Sequence, residues 1–275
     1  MSSYMQKEEF YQHLCEELRQ NRSLYPYYKL VDGNESQQQY RKAYFLQRLE
    51  YIDKYVDLSQ HPVIWDCGCG YGSTDLYFAM NGVPSYGTTI EFYADEIEKR
   101  KQFWQQFGDS SLFTYEYANV FDQNIPEEKY DYIILQDTLH HIEPLDEGLR
   151  IFYKALKKGG RLVLIEENGG CLVKRAMLFL RRGNKRVITV HDDVLKKDVL
   201  MGNENVRSEA QWREAFARTG FVLDEDSVHY IRRCYPWRFN AHNMLQIIDL
   251  EQYKSKNKKL CHYAFFGLNM VFTKK

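Results

Sequence analysis

The chain has 275 residues, 44% of them apolar, and a formal net charge of -1. That apolar content over that length supports a buried core and excludes general disorder. A nearly neutral chain also lacks the global field that would draw in nucleic acid, so none is expected as a partner. The six cysteines, Cys15, Cys67, Cys69, Cys171, Cys234 and Cys261, show no paired CxxC spacing and no histidines at zinc-ligand intervals. No metal site is therefore expected, and the thiols read as reduced groups of a cytoplasmic protein. Met1 to Phe10 is polar and acidic, unlike a signal peptide, and no apolar run reaches the ~18 residues that span a bilayer.

Residues 1–60 are expected to form an N-terminal helical cap. Phe10, Tyr11, Leu14 and Leu18 share one face of a helix over Glu8 to Leu18. Tyr40, Tyr44, Leu46, Leu49, Ile52 and Tyr55 mark a second helix from Ser36 to Tyr55. Between them, Tyr25-Pro26-Tyr27-Tyr28 reads as a loop. From Pro62 the rhythm changes to short apolar runs alternating with amphipathic stretches. Strands are expected over Val63–Asp66, Ser85–Ile90, Leu112–Ala118, Tyr130–Gln136 and Arg161–Glu166. Helices are expected over Ser73–Met80, Tyr93–Phe107 and Leu145–Leu156. Such alternation predicts an α/β fold whose parallel sheet is covered on both faces. Ser208 should cap a helix through Arg218, with Gly220 ending it. Two late strand-like runs, Phe221–Ile231 and His262–Thr273, predict an antiparallel addition to the sheet edge.

Asp66-Cys67-Gly68-Cys69-Gly70-Tyr71-Gly72 follows a strand and opens a helix. Its glycines allow a tight turn and close approach of a ligand to free backbone N–H groups. Ser73 stands where a dinucleotide-binding G-x-G-x-x-G would place its third glycine, which disfavours a nicotinamide-dependent oxidoreductase. The turn resembles motif I of the class I (Rossmann-like) S-adenosylmethionine-dependent methyltransferases. Tyr130-Asp131-Tyr132 through Leu139-His140-His141 and Lys158-Gly159-Gly160 through Ile165 resemble the ubiquinone-biosynthesis-like group of that family.

The resemblance covers about residues 60–170. It implies a seven-stranded, mostly parallel sheet with helices on both faces, an antiparallel C-terminal strand, and S-adenosyl-L-methionine as cofactor. It further implies that Asp66, Gly68, Cys69, Gly70 and Gly72 cradle the methionine part. Thr89 stands where the family's ribose-binding acid usually falls, and Glu91, the nearest carboxylate in the sequence, would take that role. Asn119 and Val120 would meet the adenine, and Gln136 the methionine portion. His140 and His141 lie beside the expected methyl position and are the candidate general bases, His141 ahead.

Motifs for nucleic-acid methylation are absent, which favours a small-molecule acceptor, methylated on an oxygen of an aromatic or hydrophobic metabolite. A non-catalytic regulatory subunit of the same fold remains an alternative. The methyltransferase domain is expected over 61–275, with inserts at about 167–207 and 232–261 over the strand ends where ligands bind. Within the first insert, residues 171–186 are apolar on one side and basic on another. That pattern fits a core-packed helix with a solvated charged side. Less often such a run makes a peripheral contact with a membrane surface, a lipid-like acceptor or an anionic carrier.

Overall fold

The computed structural model describes residues 4–90 and 94–275. In chain order the elements are α1 (Lys7–Gln20), α2 (Tyr25–Tyr28), α3 (Glu35–Tyr55), β1 (Ile64–Cys67), α4 (Ser73–Met80), β2 (Ser85–Thr89) and α5 (Ala94–Trp104). There follow β3 (Phe113–Tyr117), β4 (Tyr130–Gln136), α6 (Leu145–Ala155), β5 (Leu156–Glu167) and α7 (Leu172–Arg182). The chain continues through β6 (Val187–Asp192), β7 (Lys197–Gly202), α8 (Glu209–Thr219), β8 (Phe221–Leu223) and β9 (His229–Ile231). It ends with α9 (Met244–Lys254), α10 (Lys258–Ala264) and β10 (Gly267–Lys274).

The main sheet runs β3-β2-β1-β4-β5-β10-β8, with β9 also paired to β10. Strands β1 to β5 are mutually parallel, whereas β10 is antiparallel to β5 and to both short strands. This is the expected Rossmann-like sheet with seven strand positions. The strand order reverses between β1 and β4, and a crevice opens at such a switch point beyond the carboxyl ends of the strands. Two apolar clusters cover the sheet: one centred on α1, α3 and α4, the other on α6, α8 and β10.

Local chemistry sets the helix ends. Asn34 caps α3 by accepting from the Gln37 N–H at 3.0 Å, while Gln37 accepts in return from the Asn34 N–H at 3.2 Å. Ser208 precedes α8 and donates its N–H to Gln211 at 2.9 Å; Gly220 ends the helix at φ +97°. The N-terminal helices are tied to the sheet layer by polar bonds as well as by packing. Arg100 of α5 donates to both carboxylate oxygens of Glu17 at 2.8 and 2.9 Å, and Trp104 donates to Glu17 at 2.9 Å.

Three expectations change. Tyr25–Tyr28 is a helical turn, since Pro26 fits the first turn of a helix where its missing N–H is harmless. The run Phe221–Ile231 is two strands, broken by a turn at Glu225–Ser227. There Ser227 Oγ donates to the Asp224 carbonyl at 2.6 Å and accepts from the Val271 N–H at 2.8 Å. The run His262–Thr273 begins as the end of α10 and becomes strand only at Gly267. The basic stretch after Glu166 is ordered secondary structure, α7 followed by the β6–β7 hairpin. The feet of this insert touch, with the Gly169 N–H donating to the Arg207 carbonyl at 3.0 Å. Among the described residues no helix is long and apolar enough to cross a membrane.

Candidate active site

A cavity of 670 Å³ lies over the switch point, within the range of small-molecule sites. Its floor is the glycine-rich turn between β1 and α4. Gly68 and Gly70 adopt φ +86° and +54°, the left-handed region that glycine tolerates best. The Gly68 and Cys69 N–H groups donate to the Thr88 carbonyl at 2.7 and 3.0 Å, which pins the turn to the end of β2. Asp66, Gly68, Cys69 and Gly70 all line the cavity. Gly72 does not. At φ +72° it precedes α4, and a side chain there would meet the Phe113 ring at 2.3 Å, so its smallness serves core packing.

Asp66 is buried, and its Oδ1 has no protein partner. Burial, then the nearby charge of Asp75, push the Asp66 carboxyl well above its ordinary value. Burial also raises Asp75, so the two carboxyls share protons rather than both ionising.

Asn119 and Val120 line the next section of wall. Asn119 Oδ1 accepts from the Phe121 N–H at 3.1 Å, which shapes the loop after β3. Thr89 lines the wall at the end of β2; Glu91 lies outside the described residues. Gln136 reaches across to α4, donating to Thr74 Oγ1 at 2.6 Å.

The two histidines differ. His140 is buried with Nδ1 at 2.6 Å from Glu166. Burial opposes its charge, but Glu166 outweighs burial and raises the imidazole to about 9. Its Nδ1 is thus committed to the Glu166 carboxylate. His141 Nδ1 lies 2.8 Å from the Gly202 carbonyl, an acceptor only, so Nδ1 carries the hydrogen and Nε2 the lone pair. Burial and then the His140 charge hold His141 below the ordinary histidine value, which keeps it neutral. His140, His141 and Glu204 bring one polar atom each within 4.8 Å of one another, a spacing a cation could use.

Opposite this frame stands a second wall. Tyr27, Tyr28, Tyr40, Tyr44, Phe45 and Arg48 come from the N-terminal helices. Val199, Leu200, Met201 and Glu204 come from the β6–β7 insert, and Arg232 follows β9. Arg48 pairs with Asp137, whose backbone is left-handed at φ +48°. Burial raises Asp137, but Arg48, Arg232 and His140 outweigh it and hold the carboxyl low. Both Arg48 and Arg232 keep a buried Nε without a partner. Sequence reading misses these arginines because their partners, Asp137 for Arg48 and Glu167 for Arg232, are remote in the chain. The mixed helical face around Arg48 carries no motif.

The methyltransferase-domain family matches residues 34–226, and the chain belongs to it. The parallel sheet and the glycine-rich turn at the switch point give that domain a Rossmann-like fold. Among characterised relatives it is similar to phosphoethanolamine N-methyltransferase 1 of Triticum aestivum, at 30% identity over 118 residues, 42% of this chain and 22% of that one. It is also similar to phosphoethanolamine N-methyltransferase 3 of Arabidopsis thaliana, at 28% over 120 residues, 42% of this chain and 23% of that one. The matched segment thus spans less than a quarter of these relatives. Phosphoethanolamine N-methyltransferase 2 of Haemonchus contortus, solved with S-adenosyl-L-methionine, shares the fold at TM-score 0.58 and 14% identity, over 96% of this chain and 60% of that one. So does geranyl diphosphate C-methyltransferase of Streptomyces coelicolor, at TM-score 0.54 and 15% identity, over 90% and 88%.

Proposed function

We propose that the protein moves a methyl group from S-adenosylmethionine to an oxygen of a small aromatic or hydrophobic acceptor, with His141 taking the acceptor's proton. One observation carries this reading: a single cavity joins the Asp66–Gly70 turn at one end to the His141 lone pair and an aromatic wall at the other. The residues suit the cofactor. Backbone at positive φ leaves the turn open to close approach, and the buried Asp66 Oδ1 awaits a donor.

In this assignment Gly68, Cys69 and Gly70 hold the methionine part, Asn119 and Val120 the adenine, and Gln136 borders the methyl. The bound cofactor supplies an activated methyl on a sulfonium, so the protein's task is alignment and exclusion of water. Tyr27, Tyr40 and Tyr44 close over the acceptor. The Gly202 carbonyl fixes the His141 tautomer, leaving Nε2 to accept a proton as the acceptor oxygen attacks.

A second reading has its own observation. Arg48 and Arg232, each with an unpartnered Nε at the cavity, suit the phosphate of an acceptor such as phosphoethanolamine, the substrate named for the plant relatives. Release of S-adenosylhomocysteine is the assay, run against a set of phenols and against phosphoethanolamine. Turnover of phenols supports the first reading; turnover of the phosphobase alone replaces it with the second. Failure of S-adenosylhomocysteine to bind in calorimetry would sink both.

A further inference from the structure

Helix α7 is inside out. Among its eleven residues only Leu178 is a buried apolar side chain. Leu172, Val173, Met177, Phe179 and Leu180 are exposed, Phe179 at 59% and Leu180 at 85%. At 3.6 residues per turn these side chains and Ala176 fill one continuous arc of about 160°. The arc points away from the protein, opposite Leu178, Lys174 and Arg182. Those last two turn inward: Lys174 pairs with Glu167, and Arg182 donates to the Glu204 carbonyl at 3.2 Å. A helix that simply packs on a core would bury its apolar arc and expose its charges. The core-packed alternative left open by the sequence is therefore overturned.

Charge is distributed to match. Residues 171–186 hold six Lys and Arg and no Asp or Glu, in a chain of 37 basic and 38 acidic residues. Arg175 and Arg181, both exposed, flank the apolar arc on its two sides, and Lys185 and Arg186 follow the helix in exposed positions. Long basic side chains bordering an apolar arc can reach anionic head groups while the arc enters the acyl boundary. A protein partner would need no such cationic rim, whereas an anionic bilayer satisfies both features. The insert that carries α7 also builds the cavity. Leu200 on β7 is exposed and lines the cavity wall, so the acceptor end opens beside this surface.

We infer that α7 lies in the surface of an anionic bilayer, its Leu172–Leu180 arc buried and its arginines on the head groups, so that the acceptor reaches the cavity from the membrane. The part concerning the acceptor rests on the methyltransferase reading; the docking does not. The test floats the full chain with phosphatidylcholine vesicles and with mixed phosphatidylcholine–phosphatidylglycerol vesicles. Binding to the mixed vesicles, weakened by salt, is expected. Phe179→Ser with Leu180→Glu should lower it roughly tenfold or more, since each exposed apolar side chain removed forfeits its burial. Arg175→Gln with Arg181→Gln should lower it roughly tenfold and remove much of the salt dependence. These sites are at the surface, so thermal unfolding should be unchanged.

Absence of binding to mixed vesicles overturns the docking. So does sedimentation showing that wild type self-associates through α7 without vesicles and that Leu180→Glu abolishes it. For the acceptor, labelled methyl from S-adenosylmethionine is followed into the organic-extractable fraction of vesicles made from a cell lipid extract. Wild type should label that fraction, and the Phe179→Ser, Leu180→Glu protein far less at equal affinity for S-adenosylhomocysteine. Vesicle binding and cofactor binding without label overturn the membrane route. Failure of cofactor binding instead defeats the methyltransferase reading and leaves the flotation result standing.

Discussion

The two walls of the cavity are built on different principles. The frame wall, from Asp66 to His141, is mostly backbone: turns at the ends of parallel strands, pinned by bonds such as Gly68 N–H to Thr88 O at 2.7 Å. The opposite wall is side chain, contributed by α2, α3, the β6–β7 insert and Arg232, segments with no sequence proximity. A backbone cradle suits a ligand that never changes, because it depends on turn geometry more than on residue identity. A side-chain wall can be altered one residue at a time, as suits the partner that differs between enzymes.

The largest expected effect tests whether the second wall is merely laid over the first. Glu17→Leu would leave the buried Arg100 guanidinium its bonds to Tyr28, Ser73 and the Tyr71 carbonyl but no counter-charge, at a cost of about 3–5 kcal/mol in denaturant unfolding. An unchanged midpoint would mean the cap is a loose lid rather than part of one cooperative unit.

His141→Asn should sharpen the contrast between walls. Turnover is expected to fall about 100-fold or more while S-adenosylhomocysteine affinity stays the same. Because burial and the His140 charge lower the His141 pKa, the wild-type rate should rise with pH through an inflection below the ordinary histidine range. The variant's residual rate should lack that inflection.

Gly202→Ala places a Cβ 1.9 Å from the His140 carbonyl oxygen and should push the insert off the frame. We expect about 1–3 kcal/mol of destabilisation and reduced turnover, with cofactor affinity retained. Loss of cofactor affinity as well would show that the walls are not separable.

The smallest effect concerns the Asp66–Asp75 pair under the frame. Both folded carboxyls are raised, so their contribution is full below the unfolded value near about 4 and is lost as pH rises through the folded value. Asp75→Asn should therefore flatten the decline of the melting temperature between acid and neutral pH. A parallel decline in both proteins would remove the pair as its source.

The same division explains what the sequence disclosed. The frame wall is local: the alternating glycines, the short strands and the His140-His141 pair each occupy a few consecutive residues, and periodicity places them. The Ser73–Met80 helix and the Tyr130–Gln136 strand run as expected. Arg48, Glu204 and Arg232 are long-range products of packing and leave no local trace. Helix α7 was ambiguous for a related reason. Its pattern defines an apolar face but does not say which way that face turns, and only Leu178, Lys174 and Arg182 settle it.

The touching feet of the insert have a consequence for its length. The chain leaves the sheet at Gly169 and returns at Arg207, and a Cβ on Gly169 would sit 2.6 Å from the Arg207 backbone. A segment whose ends already meet imposes little closure entropy, and that cost grows only slowly with length. Length changes within residues 170–206 should therefore add little closure cost, provided they leave the Gly202 contact with His141 in place.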